Sequence, residues 1–199
     1  MGDVQRNETR HSSPITHHRQ MGEYVFRGRL ISVRVEETDR GPREVVEHPG
    51  AVAILAVDGE GKVLLVRQHR HGAGRALWEI PAGTLEPGES PLRCAQRELW
   101  EETGLRARRW RKLGAFYTSP GVMNELMHLF LAEGLEGELS PQVQGEIAEL
   151  GFRTPREVLE EVARGEVGDG KTLAALAFLL SRPTSIGKES VLPLFDDLS

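Results

Sequence analysis

The chain has 199 residues, of which 39% are hydrophobic and 28% charged, the length of one domain with an appendage and the composition of a folded protein. A formal net charge of −5 argues against nucleic acid as a partner, because phosphate backbones reward a basic footprint, and the sequence lacks the long apolar run that a membrane span needs. The single cysteine, Cys94, excludes an internal disulfide and fits a reducing, cytoplasmic setting.

Residues 1–20 are polar, hold His11, His17 and His18 without metal-ligand spacing, and read as a disordered tail with no signal-peptide stretch. Strands are expected at 24–26 and 30–35, a turn at Asp39-Arg40-Gly41-Pro42, and a further β run at 43–48. This 21–48 segment carries Val25, Leu30, Val33 and Val35 as an apolar face. It is too short for a core of its own and must pack on something. Residues 51–57 form a continuous apolar strand suited to burial on both faces, and Asp58-Gly59-Glu60-Gly61 turns it into a strand at 63–66. A short strand at 77–80 leads to Pro81-Ala82-Gly83.

A helix is expected at 91–103, with Ser90 as N-cap, Pro91 at its first position and Gly104 closing it. Strands follow near 113–117 and 126–132, then a helix at 157–164 capped by Thr154 and a last apolar helix at 172–180. Interleaved strands with few helices predict an α+β sandwich. A wheel of the 91–103 helix sets Leu92, Ala95, Leu99 and Thr103 within about 60° of one another as the buried stripe. Glu98, Glu101 and Glu102 share one flank, with Arg97 one turn from Glu101. Glu98 and Glu102 point the same way and repel each other. That pattern suits either a solvated acidic face or a hard divalent cation, which turns the repulsion into attraction.

The spacing bears on that choice. Gly83, five residues, Glu89, seven residues and then Arg97-Glu98-Leu99-Trp100-Glu101-Glu102-Thr103-Gly104-Leu105 resembles the Nudix hydrolase signature at every fixed position. The resemblance implies a Nudix fold, a mixed β-sheet sandwiched between helices, and Mg²⁺-dependent cleavage of a nucleoside diphosphate linked to another group, with Mn²⁺ as a substitute cation. By position, Glu98, Glu102 and the backbone carbonyl of Ala82 would be metal ligands and Glu101 a further ligand or orienting group. Gly83 would permit a tight loop, which Arg97 would hold through Glu89.

The similarity runs from about Tyr24 to Leu180 and looks like the ADP-ribose pyrophosphatase subfamily. It rests on Val46 to Val52, on Val66-Arg67-Gln68-His69-Arg70, and on Trp78 to Gly83. It rests further on Tyr117-Thr118-Ser119-Pro120-Gly121, with Pro120 fifteen residues after Leu105, and on Glu125. The substrate positions it implies are Arg43, Glu47, Arg70, Thr84, Ser119, Pro120, Gly121 and Glu125. Arg70 suits a phosphate fork and Glu47 and Glu125 suit ribose hydroxyls. One departure stands out: in Gln142-Val143-Gln144-Gly145-Glu146, Glu146 aligns with an acidic metal ligand, but Gln144 replaces the family's general base and takes no proton. Glu101 or Glu146 is left to accept it.

The expected reaction is hydrolysis of ADP-ribose to AMP and ribose 5-phosphate by a cytoplasmic homodimer. The alternatives are a pyrophosphatase for another nucleotide sugar or dinucleotide, or an ADP-ribose sensor without turnover. The expected organisation is a tail at 1–20, a β segment at 21–48 swapped between subunits, a hydrolase domain at 49–183 and a tail at 184–199.

Overall fold

A computed structural model describes residues 22–141 and 147–180. The expected tails at 1–20 and 184–199, together with Gln144 and Glu146, lie outside the described residues. Three strands, β1 (Glu23–Arg27), β2 (Ser32–Glu36) and β3 (Arg43–Glu47), form an antiparallel sheet of their own. Val46 joins it to the loop before β9: its N–H donates to the Val122 carbonyl at 2.8 Å, and its own carbonyl accepts from Asn124 at 3.1 Å. Tyr24, Val25, Phe26 and Leu30 stay exposed, Val25 by 61%. Of the apolar face expected of this segment, Val33 and Val35 are half-buried and Val25 and Leu30 are left exposed among the described residues.

The second sheet has seven strands in the order β10-β5-β4-β9-β8, with β6 on β5 and β7 on β4. Its members are β4 (Ala51–Val57), β5 (Val63–Arg70), β6 (Arg75–Glu79), β7 (Ala82–Thr84), β8 (Arg106–Tyr117), β9 (Leu126–Glu136) and β10 (Ile147–Arg153). The β4–β9 pair is parallel and the other pairs antiparallel, so the sheet is mixed. Three helices cover it: α1 (Pro91–Thr103), α2 (Pro155–Ala163) and α3 (Gly170–Leu180). The apolar alternation along β4 splits the core into two layers. Val52, Ile54 and Ala56 pack with Cys94, Ala95 and Leu99 of α1. Ala53, Leu55 and Val57 share the other layer with Val158 of α2 and Ala175, Leu176 and Leu179 of α3. The expected sandwich is what the chain builds.

α1 starts and stops as its sequence dictates. The Ser90 hydroxyl accepts from Arg93 N–H at 3.5 Å, and Gly104, at φ 73°, donates its N–H to the Trp100 carbonyl at 2.8 Å. Its buried stripe differs from the wheel. Leu92 is 40% exposed and Cys94 is fully buried: Cys94 packs with Val52, Ile54 and Leu64, and its Sγ donates to the Thr84 carbonyl at 3.4 Å. α2 begins at Pro155, with a reciprocal capping box between Thr154 and Glu157. β7 and β10 are strands the pattern does not announce: β7 is only three residues long, and Ala-Glu-Leu-Gly at the centre of β10 lacks β-branched residues and includes a glycine. β8 begins seven residues ahead of the expected start at 113, its arginine-rich half tolerated because it is an outer strand of the sheet.

Candidate active site

The site forms where α1 crosses the ends of β4 and β7. β7 pairs with β4 at Ala82–Ala53 and Gly83–Val52, which lays the Ala82–Gly83 backbone beneath the helix. Ala82 N–H donates to Glu102 Oε2 at 3.1 Å. A Cβ built on Gly83 would sit 1.9 Å from the Glu98 carboxyl carbon, so glycine is needed there for space. Glu98 and Glu102 thus bracket two consecutive residues of one strand.

Arg97 organises the surrounding loop. Its Nε and Nη2 take both Glu89 oxygens, at 3.0 and 2.9 Å, its Nη1 reaches Glu98 at 2.6 Å and Glu101 at 3.1 Å, and Nη2 also donates to the Thr84 carbonyl at 3.2 Å. This fork holds Glu89 well below the usual carboxylate range, at about 2. Glu102 is opposite in character. Burial, then the negative charge of Glu98, push it up to about 8, and burial likewise raises Glu98. A buried carboxylate that holds its proton near neutral pH beside a second carboxylate is a donor set missing a positive charge. No trio of His, Cys, Asp or Glu among the described residues is already closed around a metal position, since Arg97 occupies Glu98 and Glu101. The donors nonetheless fit a hard divalent cation: carboxylate oxygens on one helix flank facing a strand backbone.

Two cavities meet here. One, of about 840 Å³, is lined by Glu98, Glu101 and Glu102 together with Arg97, Gln68 and Glu86. The other, of about 650 Å³, is walled by Phe116, Tyr117, Met127, His48, Thr118 and Glu125. Arg70, Ala82, Gly83, Thr84 and Leu30 line both. Each volume suits a nucleotide-sized ligand. In the second cavity, Thr118 Oγ1 donates to Glu125 Oε2 at 2.5 Å and His48 Nδ1 lies 3.5 Å from Glu125 Oε1.

Glu98, Glu101, Glu102, Ala82, Arg70, Thr84 and Glu125 are therefore brought together. Pro120 and Gly121 are not: they line a separate cavity of about 300 Å³ with Val45 and Tyr117, and Ser119 spends its carbonyl on the N–H groups of Val122 and Met123 in the adjoining turn. Arg43 and Glu47 line none of these cavities. Glu47 instead accepts from Tyr24 at 2.7 Å and from Arg34 Nε at 2.6 Å. Sequence reasoning missed His48, Phe116, Lys171 and Asp169 as lining residues, and it missed Glu79, which pairs with Arg70. The signal for Glu79 was available: in Leu77-Trp78-Glu79 it falls on the same strand face as a buried leucine.

The NUDIX domain family model matches residues 47–176. The chain is 44% identical over 164 residues to the ADP-ribose pyrophosphatase of Bacillus subtilis (strain 168), covering 79% of this chain and 89% of that one. It is 41% identical over 155 residues to the ADP-ribose pyrophosphatase of Mycobacterium tuberculosis, covering 76% and 75%. A solved structure described as an ADP compounds hydrolase superposes with a TM-score of 0.66 at 21% identity over 79% of this chain and 89% of that one, a likeness of fold. With the Gly83–Leu105 signature folded as loop and helix, and with a family model spanning most of the chain, this protein belongs to the NUDIX domain family of hydrolases.

Proposed function

We propose that the protein hydrolyses the diphosphate of ADP-ribose, with water entering at one phosphorus to give AMP and ribose 5-phosphate, and that Mg²⁺ is the working cation, replaceable by Mn²⁺. The observation that carries this reading is the buried Glu102 with the half-buried Glu98 beside Ala82 and Gly83, open to a cavity that Arg70 shares with a second, nucleoside-sized one. Glu98, Glu102, the Ala82 carbonyl and Glu146 would hold the cation, which supplies charge neutralisation and makes water a better nucleophile at neutral pH. Arg70 forks onto a phosphate, Glu101 accepts the proton of the attacking water, and Glu125 accepts ribose hydroxyls beside Thr118. Thr84, which lines both cavities, supplies backbone near the sugar; Ser119, Pro120 and Gly121, whose own cavity lies apart, take no part in this reading.

The working unit we propose is a cytoplasmic homodimer in which residues 21–48 pack across the two-fold axis, so that Arg43 and Glu47 serve the partner's site. The exposed apolar residues of the small sheet, and the position of Arg43 and Glu47 outside their own chain's cavities, support this reading. A nucleotide-sugar panel, assayed by phosphate release with added phosphatase, tests the substrate. ADP-ribose should be turned over with the highest kcat/KM in Mg²⁺ and not in EDTA. Preference for another sugar nucleotide, or binding without turnover, would overturn the assignment.

A further inference from the structure

Behind Arg70 lies a buried ionic cluster that none of the roles above uses. Glu79, on β6, is 1% exposed, and a carboxylate at that depth needs compensating charge. It has two cations. Lys171 Nζ lies 2.6 Å from its Oε2, and the Arg70 guanidinium contacts its Oε1. Lys171, itself buried, also lies 3.0 Å from Asp169 Oδ1. Asp169 in turn accepts from Thr172 N–H at 3.0 Å and Thr172 Oγ1 at 2.7 Å, and Thr172 Oγ1 accepts from Ile80 N–H at 3.0 Å. The first turn of α3 is therefore tied to Glu79, the last residue of β6, and to Ile80 just after it, and the tie ends on the one arginine common to both cavities.

We propose that Glu79 and Lys171 are positioning residues that present Arg70 to the substrate diphosphate; this deepens the function proposed above and rests on it. Arg70 stands at the end of β5, its side chain more than a third exposed, where an unclamped arginine would sample many rotamers and lose that freedom on binding. The ion pair with Glu79 holds the guanidinium by Nη2 and leaves its other donors to the ligand. Lys171 shares the buried carboxylate with Arg70: it occupies the second oxygen of Glu79, so Arg70 is not the only cation that Glu79 draws on. Asp169 holds Lys171 on Glu79. Lys171 is thus a counter-charge, and the phosphate contact stays with Arg70.

A double-mutant cycle on Arg70→Ala and Glu79→Gln decides the matter, because only a residue acting through Arg70 loses its effect once Arg70 is gone. Calorimetric Kd values are measured in EDTA for ADP-ribose and for inorganic pyrophosphate, with KM and kcat for ADP-ribose in Mg²⁺. Glu79→Gln should weaken both ligands about tenfold in an otherwise intact protein, with kcat held within threefold, and by less than twofold in the Arg70→Ala background. Glu79→Gln/Lys171→Met removes both buried charges together, so it keeps the fold if the single variant does not, and it should show the same tenfold loss and the same coupling. Equal losses with and without Arg70, or unchanged Kd values in folded variants, would overturn the clamp. Coupling seen with pyrophosphate in a protein that does not bind ADP-ribose would overturn the substrate assignment alone and uphold the clamp.

Discussion

A carboxylate at about 8 and another at about 2, one helix apart from the same loop, define the site at the scale of single residues. Burial and Glu98 raise Glu102 from the ordinary 4.5, so the metal-free protein carries stability that is complete below about 4.5 and is lost as the pH climbs through about 8. Cation binding must expel the Glu102 proton. Mg²⁺ affinity should therefore rise between pH 6 and 8, and calorimetry in buffers of different ionisation enthalpy should detect proton release at pH 7 that disappears in Glu102→Gln. Cation binding at pH 7 without proton release would contradict this arrangement. Gly83 tests the same site from the backbone side. A Cβ there would overlap the Glu98 carboxyl, so Gly83→Ala should displace Glu98 and lower kcat at least tenfold, with thermal stability changed by only about 1 kcal/mol. An alanine variant with wild-type kcat would show that Glu98 can work from another position.

Among elements, α1 is the most legible in the sequence and β10 the least. Ser90, Pro91 and Gly104 mark α1 by local chemistry alone, and the helix runs between them. β10 has no such marks, because its place beside β5 is decided by the sheet and not by its own residues. The same contrast holds for the site. Glu98, Glu101 and Glu102 are read from spacing within one helix, whereas the Glu79–Lys171 pair joins residues 92 apart, which no local pattern reveals. The small N-terminal sheet raises the remaining question at this scale, since Val25 and Phe26 are more than half exposed. If it packs across a two-fold axis, removing residues 1–49 should abolish both the dimer and ADP-ribose turnover. Mixing Arg43→Ala with Glu102→Gln subunits should restore part of the activity, because one site then carries both lesions and the other neither. Demonstrated subunit exchange with no recovery would refute a shared site.

At the scale of the whole molecule, the mixed sheet sets a carboxylate-lined cavity and a nucleoside-sized cavity on either side of Arg70, Ala82, Gly83 and Thr84. A diphosphate lying over that shared wall would place its scissile bond near Glu98 and Glu102 with its nucleoside towards Phe116 and Glu125. A single measurement bears on all of this at once: product analysis of ADP-ribose incubated with wild type in Mg²⁺, with wild type in EDTA, and with Glu102→Gln in Mg²⁺. The account predicts AMP and ribose 5-phosphate from the first, no products from the second, and a kcat at least 100-fold lower from the third, about 3 kcal/mol of lost transition-state stabilisation. Turnover by Glu102→Gln within threefold of wild type, or undiminished turnover in EDTA, would contradict it.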